Sequence, residues 1–140
     1  MTYEVKATLV AERQIAGLRG PRRKAFDTFV TVLADKGCRA LAYRLTGGEP
    51  LPRLCVKHLR AKDRVVVAFE GPTAWVLLVG PYDEGDRRAD VHTALYQLAG
   101  VDLPEMPRTK PPCCDEDDQP PTVDGPVLDD LVRRARSLHR

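Results

Sequence analysis

The chain has 140 residues, 43% hydrophobic and 30% charged, with a net charge of +2. That is one domain's worth with some length to spare, in the balance of an ordinary soluble globular protein. No apolar run approaches the length of a membrane-spanning helix, because the longest, "WVLLVG", is only strand-sized. The opening "MTYEVKATLVAERQ" lacks the basic-then-apolar order of a secretion signal, so a cytoplasmic protein is expected.

Taken in chain order, "TYEVKATLV" alternates weakly, carries β-branched residues and reads as a first strand over about residues 3–8. "AERQIAGLRG" sets Ala11, Ile15 and Leu18 on one helical face, and Gly20-Pro21 stops that helix. "PRRKAFDTFVTVLADKG" opens with Pro21 at a natural first helical position, and Phe26, Phe29, Val30 and Leu33 follow at three-and-four spacing. Residues 21–36 are therefore expected as the second arm of a helical hairpin, ended by Gly37. A short strand, "AYRL", runs into Gly47-Gly48 and a Pro-containing loop. Strands over 53–59 and 64–70 follow, joined by a turn at 60–63. "RVVVAFE" is so evenly apolar that it should be central and covered on both faces. "AWVLLV" (74–79) is the last strand, with Trp75 expected in the core, and "RRADVHTALYQLAG" is a helix capped by Gly100.

Past Gly100 the character changes. Residues 1–100 hold 16 Lys/Arg against 11 Asp/Glu, a net +5, whereas 101–140 hold 6 against 9, a net −3. Residues 1–100 are expected as the folded domain and 101–126 as a disordered linker with seven of the twelve prolines and the acidic run Asp115-Glu116-Asp117-Asp118. Residues 127–140 form a short amphipathic helix with Val127, Leu128, Leu131 and Val132 on one stripe. Such a helix is marginal alone, so it either docks on its own domain or waits for a partner. Cys38, Cys55, Cys113 and Cys114 match no zinc spacing. A bridge between neighbours is strained, so all four are expected as reduced thiols, with no metal and no cofactor.

The unusual stretch is "RLCVKHLRAKDR". Five of its twelve residues are Lys or Arg, one more is His58, and only Asp63 opposes them. The bland alternative is a solvated basic face, with Arg64 merely bracing the turn beside Asp63 and His58 structural.

This order of elements resembles the RelE/ParE superfamily of toxin–antitoxin toxins. The likeness spans about residues 3–100: the hairpin "AERQIAGLRGPRRKAFDTFVTVLADKG", the loop-and-strand "YRLTGGEPLPRLCVKHL", the arginine-led "DRVVVAF", and "AWVLLVG" followed by a polar turn and "DVHTALY". The resemblance implies an α+β fold, a small antiparallel sheet with the N-terminal helical hairpin on one face and a basic concave surface on the other. It also implies an antitoxin protein as partner. In the RelE branch the target is mRNA in the ribosome. In the ParE branch it is DNA gyrase, and further relatives keep the fold as interaction modules without the chemistry.

A metal-independent ribonuclease must take a proton from the 2′-hydroxyl, stabilise the charged phosphorane and protonate the departing 5′-oxygen. Guanidinium groups suit the second task and a His or Lys the others. By resemblance Arg64 matches the arginine that opens the central strand as a phosphate binder, and Lys57 lies where a basic residue often precedes it. Arg60 is a second phosphate binder and His58 or Lys57 the proton carrier. Arg53, Lys62, Tyr82, Arg87 and Arg88 are expected to bind the nucleic acid, Tyr82 by stacking a base. The acidic Asp83 and Glu84, where the family commonly has Arg, Tyr or His, depart from its pattern. Strand alternation places His58 and Arg60 on one face and Lys57 on the other. The acidic tail, finally, has the physics of an antitoxin supplied in cis.

Overall fold

The computed structural model describes residues 2–45, 53–59, 62–81 and 111–138, with side chains through Arg133. Strand β1 (Glu4–Ala7) leads into helices α1 (Leu9–Ala16) and α2 (Pro21–Lys36) and a 3₁₀ turn at Gly37–Ala40. Strands β2 (Tyr43–Arg44), β3 (Leu54–His58), β4 (Asp63–Glu70) and β5 (Thr73–Pro81) follow, and helix α3 (Gly125–Leu138) closes the described chain. The helix expected over 88–99 lies outside the described residues.

The hairpin forms where local chemistry demands it. Thr8 caps α1: its Oγ1 accepts from the Ala11 amide and donates to the Leu77 carbonyl at 3.0 Å, fixing the helix to β5. Pro21 occupies the first turn of α2, and Phe26, Phe29 and Leu33 are its buried face.

The five strands make one sheet in the order β1-β5-β4-β3-β2, so the apolar β4 is indeed central. The protein is α+β, and every pairing is antiparallel except β1 with β5, which is parallel. The exception follows from connectivity: β1 reaches its neighbour only after the hairpin and three strands have intervened, so no tight turn sets its direction.

Alternation sorts the strands into two faces. Cys55, Val65, Val67, Phe69, Ala74, Val76 and Val79 pack under α1 and α2 with Phe26, Phe29 and Leu33. Leu54, Val56, Val66, Ala68, Leu77 and Leu78 pack on the other side against Leu128 and Leu131 of α3, with Trp75, Val127 and Val132 at the margin. Leu77 and Leu78 are adjacent yet share a face. The β4–β5 register slips between Val66 and Val67, so Leu77 is the extra residue of a bulge and both leucines point toward α3.

Residues 111–124, within the segment expected as a linker, wrap the β2 side of the sheet. The Arg44 amide donates to the Pro111 carbonyl at 2.9 Å. Asp118 pairs with Arg39, the Val123 amide donates to the Phe69 carbonyl at 2.8 Å beyond the end of β3, and Asp124 caps α3 through the Val127 amide. The expectation of four reduced thiols is overturned: Cys38 is bridged to Cys114 and Cys55 to Cys113, across 76 and 58 residues. Neighbouring cysteines cannot easily bridge each other, but in the bend at Cys113–Cys114 each can reach a separate partner. Here each reaches a different partner beneath the hairpin face.

Candidate functional site

The basic stretch divides between the two faces of the sheet. His58 pairs directly with Arg64 across β3 and β4, and Arg64 pairs with Gly80 across β4 and β5. Parity with Val56 and Val66 sets this row on the face that carries α3. The His58 ring stands edge-on to Tyr43, a member of the same cluster, at 6.0 Å between centroids. His58 is exposed and Arg64 half-buried, with its Nη1 donating to the Asp63 carbonyl at 3.2 Å. Because Gly80 has no side chain, β5 raises nothing over the guanidinium. The row His58–Arg64–Gly80 thus makes a notch of side-chain height at one end of the sheet, an imidazole on one side and a glycine on the other, with the Arg64 Nε buried within it.

Asp63, the acid that appeared to oppose this charge, is engaged elsewhere. It points to the hairpin face, is 3% exposed, and accepts two parallel bonds of 2.7 Å from Nε and Nη2 of Arg22 on α2. The hydrogen bonds to Asp63 raise the Arg22 guanidinium above its ordinary value against the opposing effect of burial. The turn is therefore braced twice, by Arg22 through the Asp63 carboxylate and by Arg64 through the Asp63 carbonyl.

Lys57 is not part of the notch. It faces the hairpin side and lines a cavity of about 560 Å³ with Lys24, Phe29, Val32, Arg39 and Leu59. Arg53 is exposed at the start of β3, its Nη1 donating to the Thr122 carbonyl at 3.4 Å, and Lys62 is exposed beside the β3–β4 turn. Arg60, Tyr82, Arg87 and Arg88 lie outside the described residues. Of the residues singled out in the sequence, the fold brings His58 and Arg64 together and separates Lys57 from them by the thickness of the sheet.

Three participants escaped the sequence reading. They are Gly80, just past the last expected strand, Tyr43, inside the short strand "AYRL", and Arg22, next to the Pro21 that opens the second helix. Pairing register would have exposed Gly80 and Tyr43, and the packing of α2 on the sheet Arg22, and neither is written in a single element's pattern.

Among the described residues no helix is long and apolar enough to cross a membrane. No family model matches the chain, and no curated protein matches it. Among solved structures it is similar to a chain of the toxin–antitoxin complex RelBE2 of Mycobacterium tuberculosis, at 21% identity and a TM-score of 0.47, covering 56% of this chain and 96% of that one. It is also similar to a chain of the archaeal RelE–RelB complex of Pyrococcus horikoshii, at 19% identity and a TM-score of 0.46, covering 61% of this chain and all of that one.

Proposed function

We propose that the protein is a RelE-type toxin whose target is RNA, and that it cleaves RNA at the His58–Arg64 notch. One observation carries the reading: a histidine and an arginine are direct cross-strand partners, beside a glycine, on the sheet face opposite the hairpin. Directly opposed residues have Cβ atoms about 5 Å apart. That spacing lets one phosphodiester touch both.

In this mechanism Arg64 holds the non-bridging oxygens of the scissile phosphate through its planar fork and neutralises the charge that grows on them. Neutral His58 accepts the 2′-hydroxyl proton as that oxygen attacks phosphorus. The products are a 2′,3′-cyclic phosphate and a 5′-hydroxyl, the latter protonated by His58 in its imidazolium form or by water. Arg53, Lys62 and the basic residues 60, 87 and 88 supply the sequence-independent attraction that draws the polyanion in. Lys57, across the sheet, is a binding residue at most. The expected protein partners are the ribosome, where the RNA target is presented, and an antitoxin.

The test is cleavage of a single-stranded RNA in a chelator. Arg64→Ala and His58→Ala should each slow cleavage by about 10²–10⁴. Arg64→Lys should recover only part of the rate, because an ammonium lacks the fork. A substrate with 2′-deoxyribose at the scissile position should be inert. Cleavage that survives both alanine variants would remove the notch from the chemistry.

A second reading is favoured by α3. Leu128 and Leu131 seal the apolar part of the same face, which suits an interaction module that keeps the fold without the reaction. Induced expression with neither growth arrest nor RNA cleavage selects it. Arrest with DNA damage and intact RNA selects a gyrase-directed toxin.

A further inference from the structure

Both disulfides do the same job. Each joins the 111–124 segment to the layer built by residues 2–81, and neither joins two parts of that layer to each other. The hairpin and the sheet are therefore complete without them. Only the wrapping segment, and α3 behind it, is held by sulfur.

We infer that Val123 and helix α3 form a removable cover over the sheet face that carries the His58–Arg64 row, latched from the hairpin side by Cys38–Cys114 and Cys55–Cys113 and released by a dithiol reductant. The consequence for RNA rests on the reading proposed above; the latch itself does not.

Helix α3 spans 14 residues and would be marginal alone in water, so it persists because it is docked. Docking rests on one apolar stripe, in which Leu128 and Leu131 are buried and Val127 and Val132 lie at the margin. The other ties of this segment among the described residues include the Arg44 amide on Pro111, the exposed Arg39–Asp118 pair, the Cys38 sulfur on the Asp118 carbonyl, the Val123 amide on Phe69 and the Arg53 contact to Thr122. Two covalent bridges keep the local concentration of the helix at its face high, and opening them removes that constraint. Beneath the helix lie Leu54, Val56, Val66, Leu77 and Leu78, each at most 2% exposed while covered. Undocking would turn a buried layer into an apolar surface beside a cationic notch.

The latch has an accessible side. Cys38, Cys55 and Cys113 are each at most 2% exposed, whereas Cys114 is half-buried. A reductant thiolate attacks the Cys114 sulfur, the bond to Cys38 breaks, and Cys38 departs as a thiolate that takes up a proton. The second thiol of the reductant then attacks its own sulfur in the mixed disulfide and frees Cys114. One dithiol becomes one disulfide and two protein thiols form. A second dithiol opens Cys55–Cys113 in the same way once the strap has loosened.

Trp75 is the chain's single tryptophan and packs at the margin of the α3 cluster, so its emission reads the cover directly. The experiment uses the full chain with and without a dithiol reductant, following free thiols, Trp75 emission and acrylamide quenching together. The expected result is four titrated thiols, a red shift and at least a twofold rise in quenching, with the far-UV signal of the strands retained. Four titrated thiols with unchanged quenching would overturn the inference. The double variant Cys113→Ser/Cys114→Ser should quench like the reduced protein without reductant. Leu131→Asp should expose Trp75 while both bridges stay closed, and Trp75 equally protected in that variant would count against the cover. A fluorescent single-stranded RNA completes the set, with affinity expected to rise at least fivefold on reduction. If Trp75 is uncovered and RNA affinity does not change, the latch stands and RNA as the ligand of the notch fails.

Discussion

Gly37 sits at φ 60°, and a Cβ built there would lie 2.3 Å from Cε1 of Tyr3. Positive φ and an aromatic wall thus forbid a side chain at the same point, where α2 must stop and turn beneath β1. Gly37→Ala should cost about 2–3 kcal/mol, read as a lower denaturation midpoint with unchanged m, because strain and steric overlap add. The Arg22–Asp63 pair makes a comparable demand. Removing the guanidinium strands a carboxylate that is 3% exposed. Arg22→Ala should therefore destabilise by about 2 kcal/mol, below the range for a fully buried pair, because Arg22 itself is half in water. The pH sense is fixed by the raised Arg22 value. A raised cationic group contributes below its unfolded value and loses that contribution only as pH climbs through the still higher folded one. Wild type and Arg22→Ala should accordingly differ by a constant amount from neutral pH to beyond pH ~10, measured by denaturant midpoints across that range.

At the scale of the element, the helices and central strands were legible because each repeats one simple period. Helix α2 runs over Pro21–Lys36, as its three-and-four spacing and its flanking Pro and Gly imply. Strand β4 is central and covered on both faces, as "RVVVAFE" implies. Strand β3 alternates as read, which is why His58 and Lys57 part company. What could not be read is what depends on a partner. The bulge at Leu77 breaks no propensity rule; it exists because a second leucine is needed on the α3 face and because the Leu77 carbonyl receives Thr8. Leu77→Ala should cost about 3 kcal/mol, with Trp75 emission shifting as the neighbouring cluster loosens. The direction of β1 was equally hidden, since parallel and antiparallel edges share one alternation. The notch is legible only in half: the charge cluster announces itself, but the meeting of Arg64 with His58 and Gly80 belongs to register.

At the scale of the whole molecule, the tail is the part that composition misdescribes. Seven prolines and an acidic run suggest a chain that cannot bury enough to order itself. Residues 111–124 are nevertheless held by two bridges, an ion pair and backbone bonds to β2 and β4. Sulfur supplies what hydrophobic burial does not. In the loop-entropy view, closing 76 residues stabilises by about 4 kcal/mol, and the overlapping second loop adds less than its separate value. Reductant should therefore lower the thermal midpoint, and two transitions should separate, the Trp75 signal moving before the strand signal. The faces of the sheet differ in kind for the same reason. One is sealed by helices continuous with it in sequence, the other by a helix arriving from the distant end of the chain.

The parallel pairing of Glu4–Ala7 with Thr73–Val76 also dictates a schedule. The first strand to leave the ribosome has no hydrogen-bonding neighbour until the last strand has emerged, some 70 residues later. Throughout that interval α1, whose cap is completed by the Leu77 carbonyl and whose Gln14 Oε1 accepts the Val79 amide, has no strand to lean on. The nascent chain must therefore pass about half of the synthesis of these 140 residues with β1 an unfinished edge, and a chain stalled before Thr73 would present that edge to any extended peptide nearby.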